Sequence, residues 1–422
     1  MHTRAWLLLG LVGSVAALGC GGGGQVSQTA TSAGAGGSIT GAGGAGGGVV
    51  FHTSSSAAAN SGNGNGSTGS SGQGGAEPVC PLTPPVEGPP LSTPMDQWTW
   101  VPVSGAKCRD GSSTGIGVRR SSTSSKVFIY LEGGGACFNA ATCAISLTSF
   151  GEVAFDAWAG TVGLTGVFDT TIDANPVKDW SAIYVPYCSG DVHAGNASDV
   201  SVPAGPSAQD FVGYENMALY LQRIVPTFKD APQILLTGIS AGGFGAAFNY
   251  DRVAAAFCPT PVALVDDSGP PMGDAYLAPC LQKQWKGLWN LAATLPADCT
   301  DCNTPNNGGI VNYVPYIAKT WPNSYLGLIS STHDAVISTF YGYGTDDCTQ
   351  STPLSGATYE AGLDDLRDNY MSKSGKWGTY FVDSITHTYL LGPGFYTTEV
   401  QGTLLTTWMR DLLNGQATNI GP

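Results

Sequence analysis

A serine framed by two glycines sets the tightest limit on what this chain can become. Ser240 stands in Gly238-Ile239-Ser240-Ala241-Gly242, directly behind the apolar run Gln233-Ile234-Leu235-Leu236-Thr237. That run reads as a buried strand, and Gly243-Phe244-Gly245-Ala246-Ala247-Phe248-Asn249-Tyr250 reads as the small-residue start of a buried helix. A strand that turns at once into a helix lifts the serine oxygen clear of the sheet. Backbone packs on backbone in such a turn, so neither flanking glycine has room for a Cβ. With 60 glycines in the chain, Gly/Ser turns are common, and the pentad needs partners before it means chemistry.

A serine hydroxyl becomes a useful nucleophile when a histidine takes its proton and a carboxylate fixes the histidine tautomer. Five histidines are available, and two of them, His2 and His52, fall in a targeting segment and a low-complexity tract. Of the remaining three, His387 follows the strand-like Tyr380-Phe381-Val382 near the C-terminus, where an α/β-hydrolase keeps its base. His193 precedes the serine and His333 neighbours the acid candidate, so both fit that order less well. For the acid, Asp334 follows the strand-like run Ser324-Tyr325-Leu326-Gly327-Leu328-Ile329-Ser330-Ser331; Asp267, after Val262-Ala263-Leu264-Val265, is the rival. The sequence Ser240, Asp334, His387 is the α/β-hydrolase chain order of nucleophile, acid and base.

The strand-like Val127-Phe128-Ile129-Tyr130-Leu131 runs into Glu132-Gly133-Gly134-Gly135. A Gly-rich loop after an early strand brings backbone N–H groups to a developing oxyanion, and the N–H after the nucleophile, that of Ala241, supplies another. The expected fold is α/β, a mostly parallel central sheet with helices on both faces.

Several blocks resemble the pectin acetylesterase and Notum family of carboxylesterases. Leu131-Glu132-Gly133-Gly134-Gly135-Ala136-Cys137-Phe138-Asn139 resembles its LEGG…C loop, and Gly238-Ile239-Ser240-Ala241-Gly242-Gly243 its G.SAGG elbow. Asn175-Pro176, Trp180 and Val185-Pro186-Tyr187-Cys188-Ser189-Gly190-Asp191 resemble the NP…W…YC.G segment. Asp267-Ser268-Gly269, Thr332-His333-Asp334 and Asp383-Ser384-Ile385-Thr386-His387 are similar to the DAG, acid and histidine blocks, all in the family's order. The resemblance implies a Ser240–Asp334–His387 triad, an oxyanion site at Gly134, Gly135 and Ala241, and ester hydrolysis without metal or cofactor. The family usually has Trp near Gly135-Ala136; its absence predicts a more open pocket wall here.

The N-terminus reads as an export signal, a basic start followed by Ala5-Trp6-Leu7-Leu8-Leu9, and Ala17-Leu18-Gly19-Cys20 resembles a bacterial lipobox. A domain plan follows: residues 1–20 signal and lipobox with Cys20 the lipid anchor, residues 21–94 a tether with a proline-rich lead-in, residues 95–422 the catalytic domain. Residues 21–76 contain no Asp, Glu, Lys, Arg or Pro and one aromatic, Phe51, too little apolar surface to fold. At Gly-rich stiffness the tether spans roughly 40 Å. Localisation is then outside the cytoplasm, anchored at the bacterial outer membrane or cell surface, or else secreted. Beyond Cys20 ten cysteines remain, an even number that suits disulfides in an exported chain. Cys137 with Cys143 is the pairing expected beside the oxyanion glycines. Cys299-Thr300-Asp301-Cys302 lacks the second pair a zinc ribbon needs and reads as disulfide partners.

A formal net charge of −14 excludes nucleic acid as a partner class and disfavours polyanionic, fully de-esterified pectin. Trp285, Trp289 and Trp321 offer either a carbohydrate platform or core packing. Residues 211–225 read as a helix packed on the sheet, and Leu404, Leu405, Trp408, Leu412 and Leu413 as a C-terminal helix stopped by Gly415. The expected activity is hydrolysis of O-acyl, chiefly acetyl, esters with an acylated polysaccharide as partner. A Notum-like lipid or protein deacylase, a polyester hydrolase and a non-catalytic surface-anchored binding module are the alternatives.

Overall fold

Strands covered by helices on both faces are apolar without alternation, and this chain's parallel strands have that composition. The computed structural model describes Cys80 and residues 86–422. The expected signal and lipobox lie outside the described residues, as does the expected tether apart from Cys80 and residues 86–94. In β3 (Val127–Leu131), Val127, Ile129 and Leu131 enter one hydrophobic core while Phe128 and Tyr130 enter the other. The first core also takes α3 (Gly213–Phe228) and α4 (Ala241–Phe257) through Met217, Leu221, Ile224, Phe248 and Val253. The second takes α2 (Glu152–Ala159), which follows the short α1 (Ala140–Ile145), and the C-terminal helix Leu405–Leu413, through Phe155, Trp158, Leu405, Trp408 and Leu412.

Besides β3, the sheet contains β1 (Thr99–Lys107), β2 (Ser113–Arg119), β4 (Ser181–Val185), β5 (Ile234–Ile239), β6 (Val262–Asp267), β7 (Leu326–Ser331) and β8 (Trp377–Val382). Their spatial order is β1-β2-β4-β3-β5-β6-β7-β8. β2 is antiparallel to β1 and β4, and every pair from β4 to β8 is parallel. The register pairs Leu131 with Gly238, Ile239 with Asp267, Asp267 with Ile329, and Ser331 with Val382. The loops after β3, β5, β6, β7 and β8 therefore leave one edge of the sheet together. That carboxyl edge is where open α/β sheets bind ligands.

The helix expected over residues 211–225 begins at Gly213 and continues to Phe228. Gly415, with φ +89°, follows the C-cap Asn414 and ends the last helix in the left-handed conformation expected of it. The ten cysteines pair as Cys80–Cys258, Cys108–Cys188, Cys137–Cys143, Cys280–Cys348 and Cys299–Cys302. The tryptophan platform is not built. Trp289 is wholly buried, Trp285 is nearly so and stacks on it, and the half-buried Trp321 donates its indole N–H to Asp251 (2.7 Å).

Candidate active site

The glycines around Ser240 are explained by contact distances. A Cβ on Gly238 would sit 2.2 Å from the Gly242 carbonyl oxygen, and one on Gly242 only 2.0 Å from that of Leu131. Ser240 itself takes φ +55° and ψ −122°, a conformation that L-residues hold only when the surroundings over-determine it. Its N–H donates to the Asp267 carbonyl (2.7 Å) and its own carbonyl accepts from Phe244 (3.1 Å), so the strained residue is tied to β6 on one side and to α4 on the other. This is the geometry of a nucleophile elbow.

After α5 (Pro279–Leu288) and α6 (Tyr313–Thr320) the chain runs through β7 to Asp334, which caps α7 (Ala335–Tyr341). Its Oδ1 accepts the N–H groups of Val336 and Ile337, both at 2.9 Å, and its Oδ2 lies 2.8 Å from His387 Nδ1. A carboxylate that already accepts two N–H bonds takes a third from Nδ1–H, which leaves Nε2 as the basic nitrogen. His387 Nε2 is buried and hydrogen-bonded to no described residue, Ser240 included.

The rival acid has a different place. Asp267 Oδ2 accepts the N–H groups of Tyr389 (2.6 Å) and Leu390 (2.8 Å), just past His387. It holds the histidine loop by its backbone, and burial raises its carboxyl to about 6. The other histidines stand apart from Asp334's carboxylate. The His333 imidazole meets the Thr332 hydroxyl at 2.7 Å, and His193 Nε2 donates to the Glu132 carbonyl at 2.8 Å.

Gly134 and Gly135 have φ of +146° and +80°, conformations that favour glycine. Among the described residues, the N–H groups of Gly134, Gly135 and Ala241 find no acceptor. The loop approaches the serine closely, since a Cβ on Gly133 would be 3.1 Å from Ser240 Cβ. Behind it lie supports that sequence reasoning missed. His193 is buried and holds the Glu132 carbonyl; burial pulls its imidazole down to about 4, so it stays neutral. Asp191, wholly buried, accepts from Gly213 (2.7 Å), Gly195 (3.2 Å) and the Ser189 hydroxyl (2.5 Å) and fixes the segment carrying His193. The Glu132 carboxyl sits among aromatic side chains, accepting from Gly133 N–H and the Trp158 indole (both 3.2 Å), and burial raises it to about 7. The available signal was the polar cluster Ser189-Gly190-Asp191-Val192-His193 directly behind Cys188.

The expectation of an open wall beside Gly135 fails on one side. A Cβ built there points at Phe340 Cζ (3.3 Å) and Ser146 Oγ (3.4 Å), so an α7 ring occupies the space a large residue at 135 would need.

An elbow serine at the carboxyl edge of a sheet with this strand order defines an α/β-hydrolase fold. Over 76% of this chain and 94% of the other, the fold matches a crystal structure of the Wnt deacylase Notum from Drosophila, with a TM-score of 0.55 at 19% identity. Residues 96–322, more than half of the chain, match the family described as Pectinacetylesterase, and the chain belongs to that family. The matched segment holds Ser240, Gly134 and Gly135 and ends before Asp334 and His387. Among curated relatives, palmitoleoyl-protein carboxylesterase notum2 of Xenopus laevis is 34% identical over 152 residues, 35% of this chain and 30% of the relative. The human palmitoleoyl-protein carboxylesterase NOTUM is 33% identical over 155 residues, 35% of this chain and 29% of the relative. The chain thus matches about a third of the length of these relatives.

Proposed function

We propose that this protein is an exported serine carboxylesterase that removes short O-acyl groups, acetyl above all, from an acylated polysaccharide. The observation that carries the reading is the His387 Nδ1–Asp334 Oδ2 contact of 2.8 Å on the same sheet edge as the strained Ser240. In the proposed cycle Ser240 Oγ attacks the ester carbonyl carbon while His387 Nε2 takes its proton. Asp334 holds the imidazolium. The N–H groups of Gly134, Gly135 and Ala241 receive the oxyanion, the largest single term in such reactions. Collapse of the tetrahedral intermediate breaks the ester C–O bond, and the alcohol leaves with the proton from His387. Water then attacks the acyl-serine with His387 as base, releasing the acid and restoring Ser240.

Five disulfides support export, because such bonds persist in oxidising compartments. Anchoring through Cys20 rests on the lipobox-like sequence alone. The second reading, a deacylase of longer lipid chains, is favoured by the names of the curated relatives. Fluorophosphonate labelling with p-nitrophenyl ester kinetics tests the main one. The wild type should be labelled once per chain and Ser240→Ala not at all, with turnover lost by several orders of magnitude. Labelling that persists in Ser240→Ala removes Ser240 as nucleophile, and an unlabelled, inactive wild type leaves the binding-module alternative.

A further inference from the structure

Two aromatic rings from outside face the glycine loop, Tyr187 at Gly134 and Phe340 at Gly135, and of these Phe340 is the one carried by the helix that follows Asp334. Its ring tip faces Gly135, where an added Cβ would lie 3.3 Å away, and it remains half-buried. Its position is fixed from several directions. α7 starts at Asp334, whose carboxylate receives Val336 and Ile337; Ser338 O accepts from Leu354 N–H (3.0 Å), and the Tyr341 hydroxyl donates to the Pro270 carbonyl. Behind the ring stands Phe138, edge-on at 6.3 Å, itself edge-on to Tyr343 at 5.4 Å. The backbone preceding Phe138 is held by the Cys137–Cys143 disulfide. The space beyond Phe340 is therefore filled with rings, and a group that pushed past Gly135 would meet an apolar backstop.

We propose that Phe340 sets the length of the acyl group, closing the acyl side of the site beside Gly135 so that only short chains are accommodated. The proposal rests on the serine carboxylesterase reading and adds its specificity determinant. An apolar wall of this kind suits the hydrocarbon end of an acid better than the polyhydroxyl half of a sugar ester. The same geometry explains how Gly135 is accommodated in this chain. The ring that the loop itself lacks comes from the helix that also carries the acid at its N-cap. Close packing sets the size of the effect, because each methylene too many in an apolar pocket is worth roughly ten- to two-hundredfold in kcat/KM.

The test is a kcat/KM series of p-nitrophenyl esters from two to ten carbons, with wild type, Phe340→Ala and Phe340→Leu. Each preparation is normalised by fluorophosphonate titration, so that unfolded material is not counted. Wild type should peak at four carbons or fewer. Phe340→Ala should move the peak outward by two or more carbons and raise the octanoate-to-acetate ratio by roughly tenfold or more, with Phe340→Leu between. A parallel series of acetate esters of lengthening alcohols should keep its wild-type shape in both variants. Three coincident acyl profiles, a wild-type peak at eight carbons or beyond, or a shift confined to the alcohol series would each overturn the proposal. Loss of labelling in the wild type would instead overturn the reading of Ser240, which keeps the two failures distinguishable.

Discussion

Asp267 ends one parallel strand and Asp334 follows the next, both buried, yet they act on different atoms of the same loop. Asp334 touches the His387 ring, while Asp267 takes the N–H groups of Tyr389 and Leu390. Asp334→Asn should cut kcat by about four orders of magnitude, since an amide favours the wrong imidazole tautomer. Asp267→Asn should act mainly on stability, through a loop held by one fewer charged acceptor, with a smaller loss of kcat. Steady-state kinetics alongside melting of the two variants checks this; the opposite ranking of kcat would make Asp267 the acid. Glu132 gives a pH signature. Its carboxyl is raised by burial from 4.5 to about 7, so between those values the folded state holds a proton that the unfolded state has lost. Stability must then fall as pH rises from about 4.5 to about 7, by on the order of 3 kcal/mol in total, and level off above. Neutral His193, lowered to about 4, has the opposite slope below 6.5, so the clean observable is a difference between variants. Relative to wild type, Glu132→Gln should gain stability progressively across that window in urea titrations. A difference that does not change with pH would show that Glu132 ionises normally.

At the scale of elements, β5 and α4 form one device, and its glycines are not interchangeable. Gly242 lies where a Cβ would overlap the Leu131 carbonyl, a backbone atom of β3 that cannot move without the sheet. Gly242→Ala should lower the urea midpoint strongly and disturb the loop after β3. Gly287, in α5, has open space where a Cβ would go. Gly287→Ala should raise stability by about 0.4–1 kcal/mol through a more restricted unfolded chain. A comparison of the two urea curves decides the point, and equal effects would contradict the contact argument. Helix α7 is also a device in its own right, joining Asp334 at its N-cap to Phe340 near its end.

Across the whole molecule, the disulfides divide between stability and site. Cys80–Cys258 closes a loop of 178 residues, and Cys137–Cys143 one of 6. On the chain-entropy estimate, losing the first costs about 5 kcal/mol and the second about 2 kcal/mol. The paired Cys→Ala variants should therefore differ in denaturant midpoint in that order, whereas kcat should fall further in the Cys137/Cys143 variant, which frees the oxyanion loop. Unreduced, denatured protein should show no reactive thiol among the ten. Reversed midpoints, or kcat lost equally in both, would remove the division.

Much of this architecture was legible before any coordinates. Apolar runs long enough for a strand, a turn with no room for Cβ atoms, and blocks in a fixed order are local properties, and they specified the sheet type and the elbow. Ser240, Asp334 and His387 were singled out by position along the chain, as were the glycines after β3. Other features depend on pairs of residues far apart in sequence. Whether Asp267 or Asp334 meets the imidazole turns on which carboxylate points at a ring and which at a backbone. That His193 holds the Glu132 carbonyl and that Phe340 fills the space beside Gly135 are consequences of loops converging on one edge, and that Cys80 joins Cys258 is decided at the opposite edge, where α4 ends before β6 begins. Chain order can bring such loops to the same edge, but only close packing in three dimensions decides which atoms touch, because a contact of 3 Å has no signature in residues many tens of positions apart.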